Sequence, residues 1–180
     1  MNLIKINEQK FNVVIDLKYA GSNNILGKKI YRENICLLHQ AAAAKLFKAA
    51  EIALSMDLKI KIFDAYRPKY VQQALWDFNP NPNFLSDPKK GSPHTRGIAL
   101  DLTLINKKNI ELDMGTNFDD FTEKALHLSN NISLKVRKNR CILLSIMTLA
   151  GFDFYHNEWW HYQLFNSKNY ELINSFNFNY

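Results

Sequence analysis

Residues 92–104 read Ser92-Pro93-His94-Thr95-Arg96-Gly97-Ile98-Ala99-Leu100-Asp101-Leu102-Thr103-Leu104, and from Ile98 onward large apolar side chains alternate with small or polar ones. A period of two is the pattern of a strand with two unlike faces. Ile98, Leu100, Leu102 and Leu104 share one face, so Asp101 points to the other, beside Ala99 and Thr103. A carboxylate in that place needs water or a partner, which leaves a solvent-facing position and a buried functional one both open. At about 3.3 Å per residue, an extended chain would hold His94 about 23 Å from Asp101. The two can cooperate only if Thr95-Arg96-Gly97 turns the chain back, and Gly97 has the permissive backbone for it.

Upstream, Leu58 to Phe63 also alternates and predicts a second strand with one buried face. Before it, residues 38–56 place Ala42, Leu46, Ala49, Ala50 and Ala53 on one stripe, opposite Lys45, Lys48, Glu51 and Ser55, which predicts an amphipathic helix. After Pro68, a residue suited to opening a helix, Val71, Ala74, Leu75 and Phe78 restart a helical period. Pro80, Pro82, Pro88 and Gly91 make residues 79–91 a surface loop. Downstream, Asn106-Lys107-Lys108-Asn109 predicts a hairpin into Ile110-Glu111-Leu112. A helix follows over residues 135–149, with Gly151 as its stop, then strands over 152–155 and 159–165. Hairpins rather than crossovers give an α+β fold with a central, mostly antiparallel sheet flanked by helices. Residues 1–180 read as one domain, with Phe176 and Phe178 docking its end.

Its 180 residues are 47% hydrophobic, enough for one packed core. The net charge of +6 is scattered rather than gathered on one face, which argues against nucleic acid as a partner. Cys36 and Cys141 both lie in apolar stretches and read as small core residues, compatible with a reducing compartment. Residues 1–20 alternate too finely for the apolar block of a secretory signal, and no stretch approaches the roughly 20 apolar residues of a membrane span. The expectation is a soluble cytoplasmic protein without a membrane partner.

Glu158-Trp159-Trp160-His161 is the second informative stretch. It reads either as a core strand with polar ends or as part of a site. In a regular strand Glu158 and His161 face opposite ways, so a shared site requires Glu158 in the turn before the strand. His94, Asp101 and His161 together are two imidazoles and one carboxylate, a set that suits zinc and leaves a fourth position for water. Glu158 could take a proton from that water.

Five motifs occur in order: DLKYA (16–20), DAYRP (64–68), SPHTRGIALDLTL (92–104), MGTNFD (114–119) and EWWHY (158–162). Together they resemble the zinc D-alanyl-D-alanine dipeptidases, relatives of the bacterial zinc D,D-carboxypeptidases. The resemblance implies an α+β fold whose sheet carries one zinc ion per chain in a cleft, held by His94, Asp101 and His161. It further implies Glu158 as general base and Arg67 as the cation that stabilises the oxyanion. Asp119 and Tyr19 match positions that hold the free ammonium of a small dipeptide substrate, and Ser92 matches a polar substrate contact. For Tyr19 the alternative is a core aromatic, and for Asp119, or its neighbour Asp120, a helix cap over 122–129. His39 and His127 read as surface or capping groups, and His156 as a bystander. The chain departs from the family pattern in a shorter stretch between Trp76 and Gly91 and in Pro93 before His94. The implied reaction is hydrolysis of D-Ala-D-Ala to two D-alanines. The alternatives are a D,D-carboxypeptidase acting on peptidoglycan stem peptides and a non-catalytic basic zinc module for an anionic partner.

Overall fold

The computed structural model describes residues 3–174, so the docking expected of Phe176 and Phe178 lies outside the described residues. The chain begins with β1 (Leu3–Lys5), α1 (Glu8–Phe11) and β2 (Val14–Ile15), then β3 (Leu37–His39), α2 (Gln40–Ser55), β4 (Leu58–Asp64) and α3 (Lys69–Phe78). It continues with β5 (Ala99–Asn106), α4 (Leu134–Ala150), β6 (Asp153–Phe154) and β7 (His161–Gln163). Five strands form one sheet in the order β2-β4-β5-β7-β6, and β1 pairs with β3 in a separate two-stranded sheet. The main sheet is antiparallel except at its β2–β4 edge, which is parallel. That pair is joined by a crossover through β3 and α2, so hairpins alone do not build the sheet. The short strands β1 to β3 escape a periodicity reading because two or three residues cannot display a period.

The sheet has a helical face and a site face. Leu100, Leu102 and Leu104 of β5 are fully buried toward the helices, with Ile60 and Ile62 of β4 as their cross-strand neighbours. Each such side chain contributes roughly 1.5–3 kcal/mol. Their sum outweighs the several kcal/mol that burying a charged Asp101 costs on the other face. The alanine stripe of α2 (Ala42, Ala49, Ala50 and Ala53) is buried and lets that helix lie close against α4 and β4. Ser133 caps α4 by accepting from the Val136 amide, and Gly151 ends it at φ +98.

Several expectations are corrected. Residues 38 and 39 belong to β3, and α2 starts after them, capped by His39, whose Nδ1 accepts from the Ala41 amide at 3.2 Å. On α3 the buried stripe is Val71, Gln72 and Leu75, while Phe78 is exposed. The hairpin after β5 forms, but its return strand is a single bridge between Ile105 and Glu111. Cys36 is buried but Cys141 is exposed on α4. Among the described residues no helix is long and apolar enough to cross a membrane.

Candidate active site and metal centre

Three neighbouring strands each place one polar side chain in the same row. Asp64 of β4 pairs with Asp101 of β5, which pairs with His161 of β7. The register of β4 shifts between Ile62 and Asp64. That bulge passes over Phe63 and turns the Asp64 carboxyl, rather than a phenyl ring, toward Asp101. His94 arrives from outside the sheet, in the 3₁₀ turn His94–Arg96, which ends at Gly97 with φ +70. The left-handed backbone favours glycine there, and a Cβ would also push on the Leu3 side chain, 2.5 Å away, and crowd the His39 amide nitrogen at 3.3 Å. This turn folds His94 back over Asp101.

The geometry at the centre is close. His94 Nε2 lies 3.3 Å and His161 Nδ1 3.0 Å from Asp101 Oδ1, and the two nitrogens are 3.1 Å apart. Their outer nitrogens are committed: His94 Nδ1 donates to the Ala65 carbonyl at 2.7 Å and His161 Nε2 donates to Gln163 Oε1 at 3.1 Å. Both partners only accept, so the lone pairs of the two rings point inward, at each other and at a carboxylate. Three acceptors that face one point need a cation between them. One ligand atom from each of His94, Asp101 and His161 lies within 4.8 Å of the others, a donor set that fits a single metal ion.

The charge balance points the same way. Asp64, Asp101, Asp119 and Glu158 are all buried here, against one guanidinium, that of Arg67. Ionised together, these four carboxyls would exceed Arg67 by three charges, the charge a dication and a ligand ammonium would neutralise together. Arg67 donates from Nε to Asp64 at 2.7 Å, from Nη2 to Asp101 at 3.1 Å and from Nη1 to Gln72 at 3.1 Å. The Tyr31 hydroxyl donates to the other Asp64 oxygen. Burial alone would weaken the Arg67 charge, but Asp64, Tyr19 and Asp101 hold its pKa well above the ordinary value. Burial likewise works to raise Asp101, and positive charge at the His94 and His161 rings, which a metal ion would supply in place of protons, holds it below the usual carboxylate range. Glu158 is pushed well above that range, first by burial and then by Asp101 and Asp119. Asp119 is raised to about 7, by burial first, with Arg67 and Tyr19 opposing.

These side chains line a cleft of about 220 Å³ on the site face. Arg67, Ser92, His94, Asp101, Asp119, Glu158 and His161 all border it. Tyr19 does not; it is fully buried behind the cleft, where its hydroxyl donates to Asp119 Oδ2 at 2.8 Å. Ser92 Oγ accepts from the His94 amide at 3.1 Å, which fixes the start of the ligand turn. Asp119 caps no helix: residues 123–125 form a single 3₁₀ turn capped by Thr122, and Asp120 accepts from the Thr122 amide. Glu158 stands in the turn before β7, its amide donating to the Tyr155 carbonyl at 3.2 Å and its carboxylate 3.8 Å from His161 Nδ1. A larger cavity of about 500 Å³, reaching Lys18, Phe63 and Thr103, lies across Asp119 and contains none of the three candidate metal ligands, so chemistry rather than size assigns the site.

Sequence reasoning missed the supports. Asp64, Gln72 and Gln163 orient Arg67 and His161. Gln72 carried a signal, as a polar residue within the buried stripe of α3. Arg140 of α4 is buried and donates to the Met114, Leu126 and Lys124 carbonyls, at 2.8, 2.9 and 2.8 Å. His127 is neither on the surface nor a cap; it is buried edge-on to Phe154 and Tyr162. His156 is exposed and borders no part of the cleft.

Residues 1–178 match the peptidase family described as D-ala-D-ala dipeptidase. A D-alanyl-D-alanine dipeptidase of Escherichia coli is 41% identical over 159 residues, covering 88% of this chain and 82% of that protein. A protein of the same description from Enterococcus faecium is 35% identical over 170 residues (83% and 84%), and one from Enterococcus faecalis 32% over 180 residues (88% and 89%).

Proposed function

The chain belongs to the D-alanyl-D-alanine dipeptidase family, and from that premise we propose that it hydrolyses the free dipeptide D-Ala-D-Ala to two D-alanines at a zinc centre held by His94, Asp101 and His161. The observation that carries this reading is the convergence of three inward-facing lone pairs, at 3.0 to 3.3 Å, in a chain matched to the family from end to end. Two imidazoles and one carboxylate suit zinc and leave a coordination position for a reactant. When bound, the ion supplies Lewis-acid chemistry, polarising a carbonyl and acidifying water to a pKa of about 7.

The other steps fall to the protein. Glu158, raised above the ordinary carboxylate range by burial, takes the proton of the attacking water and passes it to the leaving amine. Arg67, fixed by Asp64 and Gln72, offers a preorganised positive charge to the developing oxyanion, a contribution of about 3 kcal/mol. Asp119 receives the substrate ammonium, with Tyr19 orienting it from behind; Tyr19 acts through Asp119 and not by contact. Ser92 contributes by holding the His94 turn at the cleft wall. The cleft volume, about 220 Å³, is below the roughly 300–1,000 Å³ of drug-sized sites and suits a dipeptide. The exposed thiol of Cys141 fits a reducing compartment, the cytoplasm.

The test is release of D-alanine from D-Ala-D-Ala by the purified protein, lost on chelation and regained with zinc. L-Ala-L-Ala and a pentapeptide ending in D-Ala-D-Ala should be cleaved far more slowly than D-Ala-D-Ala, followed as release of total alanine. Glu158→Ala is expected to retain the metal and lose turnover; substantial remaining hydrolysis would remove Glu158 from its role.

A further inference from the structure

The cleft has a roof that the catalytic reading does not use. Pro82, Phe84, Leu85 and Ser86, from the proline-rich stretch 79–91, line its outer wall. This roof is tied down at two carbonyls. That of Asn83 accepts from the Tyr155 hydroxyl at 2.8 Å and from Asn157 Nδ2 at 2.9 Å, both on the turn that carries Glu158. That of Ser86 accepts at 2.8 Å from Gln72 Nε2, while the Gln72 carbonyl accepts from Arg67. The Asn83 bonds are solvent-exposed, and such bonds are individually weak, so the edge of the roof at Asn83 and Phe84 can open while Leu85 stays buried in the core. On the Asp119 side, the Phe84 ring packs on Phe121 with centroids 5.2 Å apart, two residues past the carboxylate that faces the substrate ammonium. A peptide extended at its amino end would have to part that aromatic seam.

Resting on the dipeptidase reading, we propose that residues 79–91 are a latched lid, held shut by Tyr155 and Asn157 on the Asn83 carbonyl, and that the shut lid, through Phe84 against Phe121, restricts the substrate to a free dipeptide. Tyr155 and Asn157 act as positioning residues, and Phe84 sets specificity. Closure is also sensed by the site, since the latch shares a turn with Glu158 and the Gln72 tether shares a hydrogen bond with Arg67.

The experiment compares kcat/KM for D-Ala-D-Ala and for a tripeptide ending in D-Ala-D-Ala, in the wild-type protein, in Phe84→Ala and in the double variant Tyr155→Phe, Asn157→Ala. Amide exchange across 79–91 is followed in parallel. Both variants should raise the tripeptide-to-dipeptide ratio by about tenfold or more, even as dipeptide turnover falls. The double variant should also speed exchange in 79–91 by about tenfold. A ratio that stays flat in Phe84→Ala overturns the length restriction, because damage to the fold lowers both substrates together. Exchange that stays flat in the double variant overturns the latch. If the wild-type protein releases no D-alanine from the dipeptide, the dipeptidase reading falls instead, and exchange alone still decides the latch.

Discussion

Asp119 shows how one residue can be costly to the fold and useful to the site. Its backbone is left-handed at φ +60, and its carboxyl is buried against Tyr19 with a pKa of about 7, raised chiefly by burial. The unfolded chain would release that proton near pH 3.9. Between the two values the native state holds a proton the unfolded state has lost, so stability from this group is present at low pH and falls as pH rises toward 7. Asp119→Asn should therefore melt higher than the wild-type protein above pH 7, with the difference vanishing near pH 4. The same substitution should raise KM for D-Ala-D-Ala roughly 10- to 100-fold, the equivalent of the 1.5–3 kcal/mol in a charge-assisted hydrogen bond. In the wild-type protein KM should rise as pH falls below 7 and Asp119 loses its charge. A KM indifferent to both changes would place the ammonium elsewhere.

At the scale of elements, each strand of the site contributes one residue, and α4 holds the loops around them. Arg140 gathers the Met114 carbonyl from the segment leading to Asp119 and two carbonyls from residues 124–126, and it stacks over the Trp159 indole beside Glu158. Trp159 Nε1 donates to Thr116 at 2.7 Å and the Trp159 amide to the Ala125 carbonyl at 3.1 Å, closing the link between those segments. Arg140→Met removes the donors of three carbonyls and should cost about 3 kcal/mol in denaturant unfolding. Arg140→Lys should recover only part of it, because one ammonium cannot reach three carbonyls in the guanidinium's fixed fork. Both helix α4 and its stop at Gly151 were legible in the sequence, as was the turn at Gly97. The purpose of Arg140 was not, since three backbone carbonyls as partners leave no side-chain pattern to read.

For the whole molecule, an ion bound between the opposed lone pairs of His94, Asp101 and His161 would stabilise the fold. An ion present at 100 times its dissociation constant adds about 2.7 kcal/mol, which for a chain of this size corresponds to roughly 5–10 °C in Tm. Chelation should lower Tm by that amount and zinc restore it; a melt indifferent to chelation would mean that no ion binds between the three donors. Local chemistry encodes the period of β4 and β5, the amphipathic α2 and α4, a glycine able to turn the chain after His94, and the side chains able to bind a metal. The remaining features are set by packing between distant segments. The bulge that aims Asp64, the parallel edge formed by crossover, and the partners of Arg67 depend on how strands far apart in the chain register against one another. Such register follows from the packing of both sheet faces together, which no single stretch of residues contains.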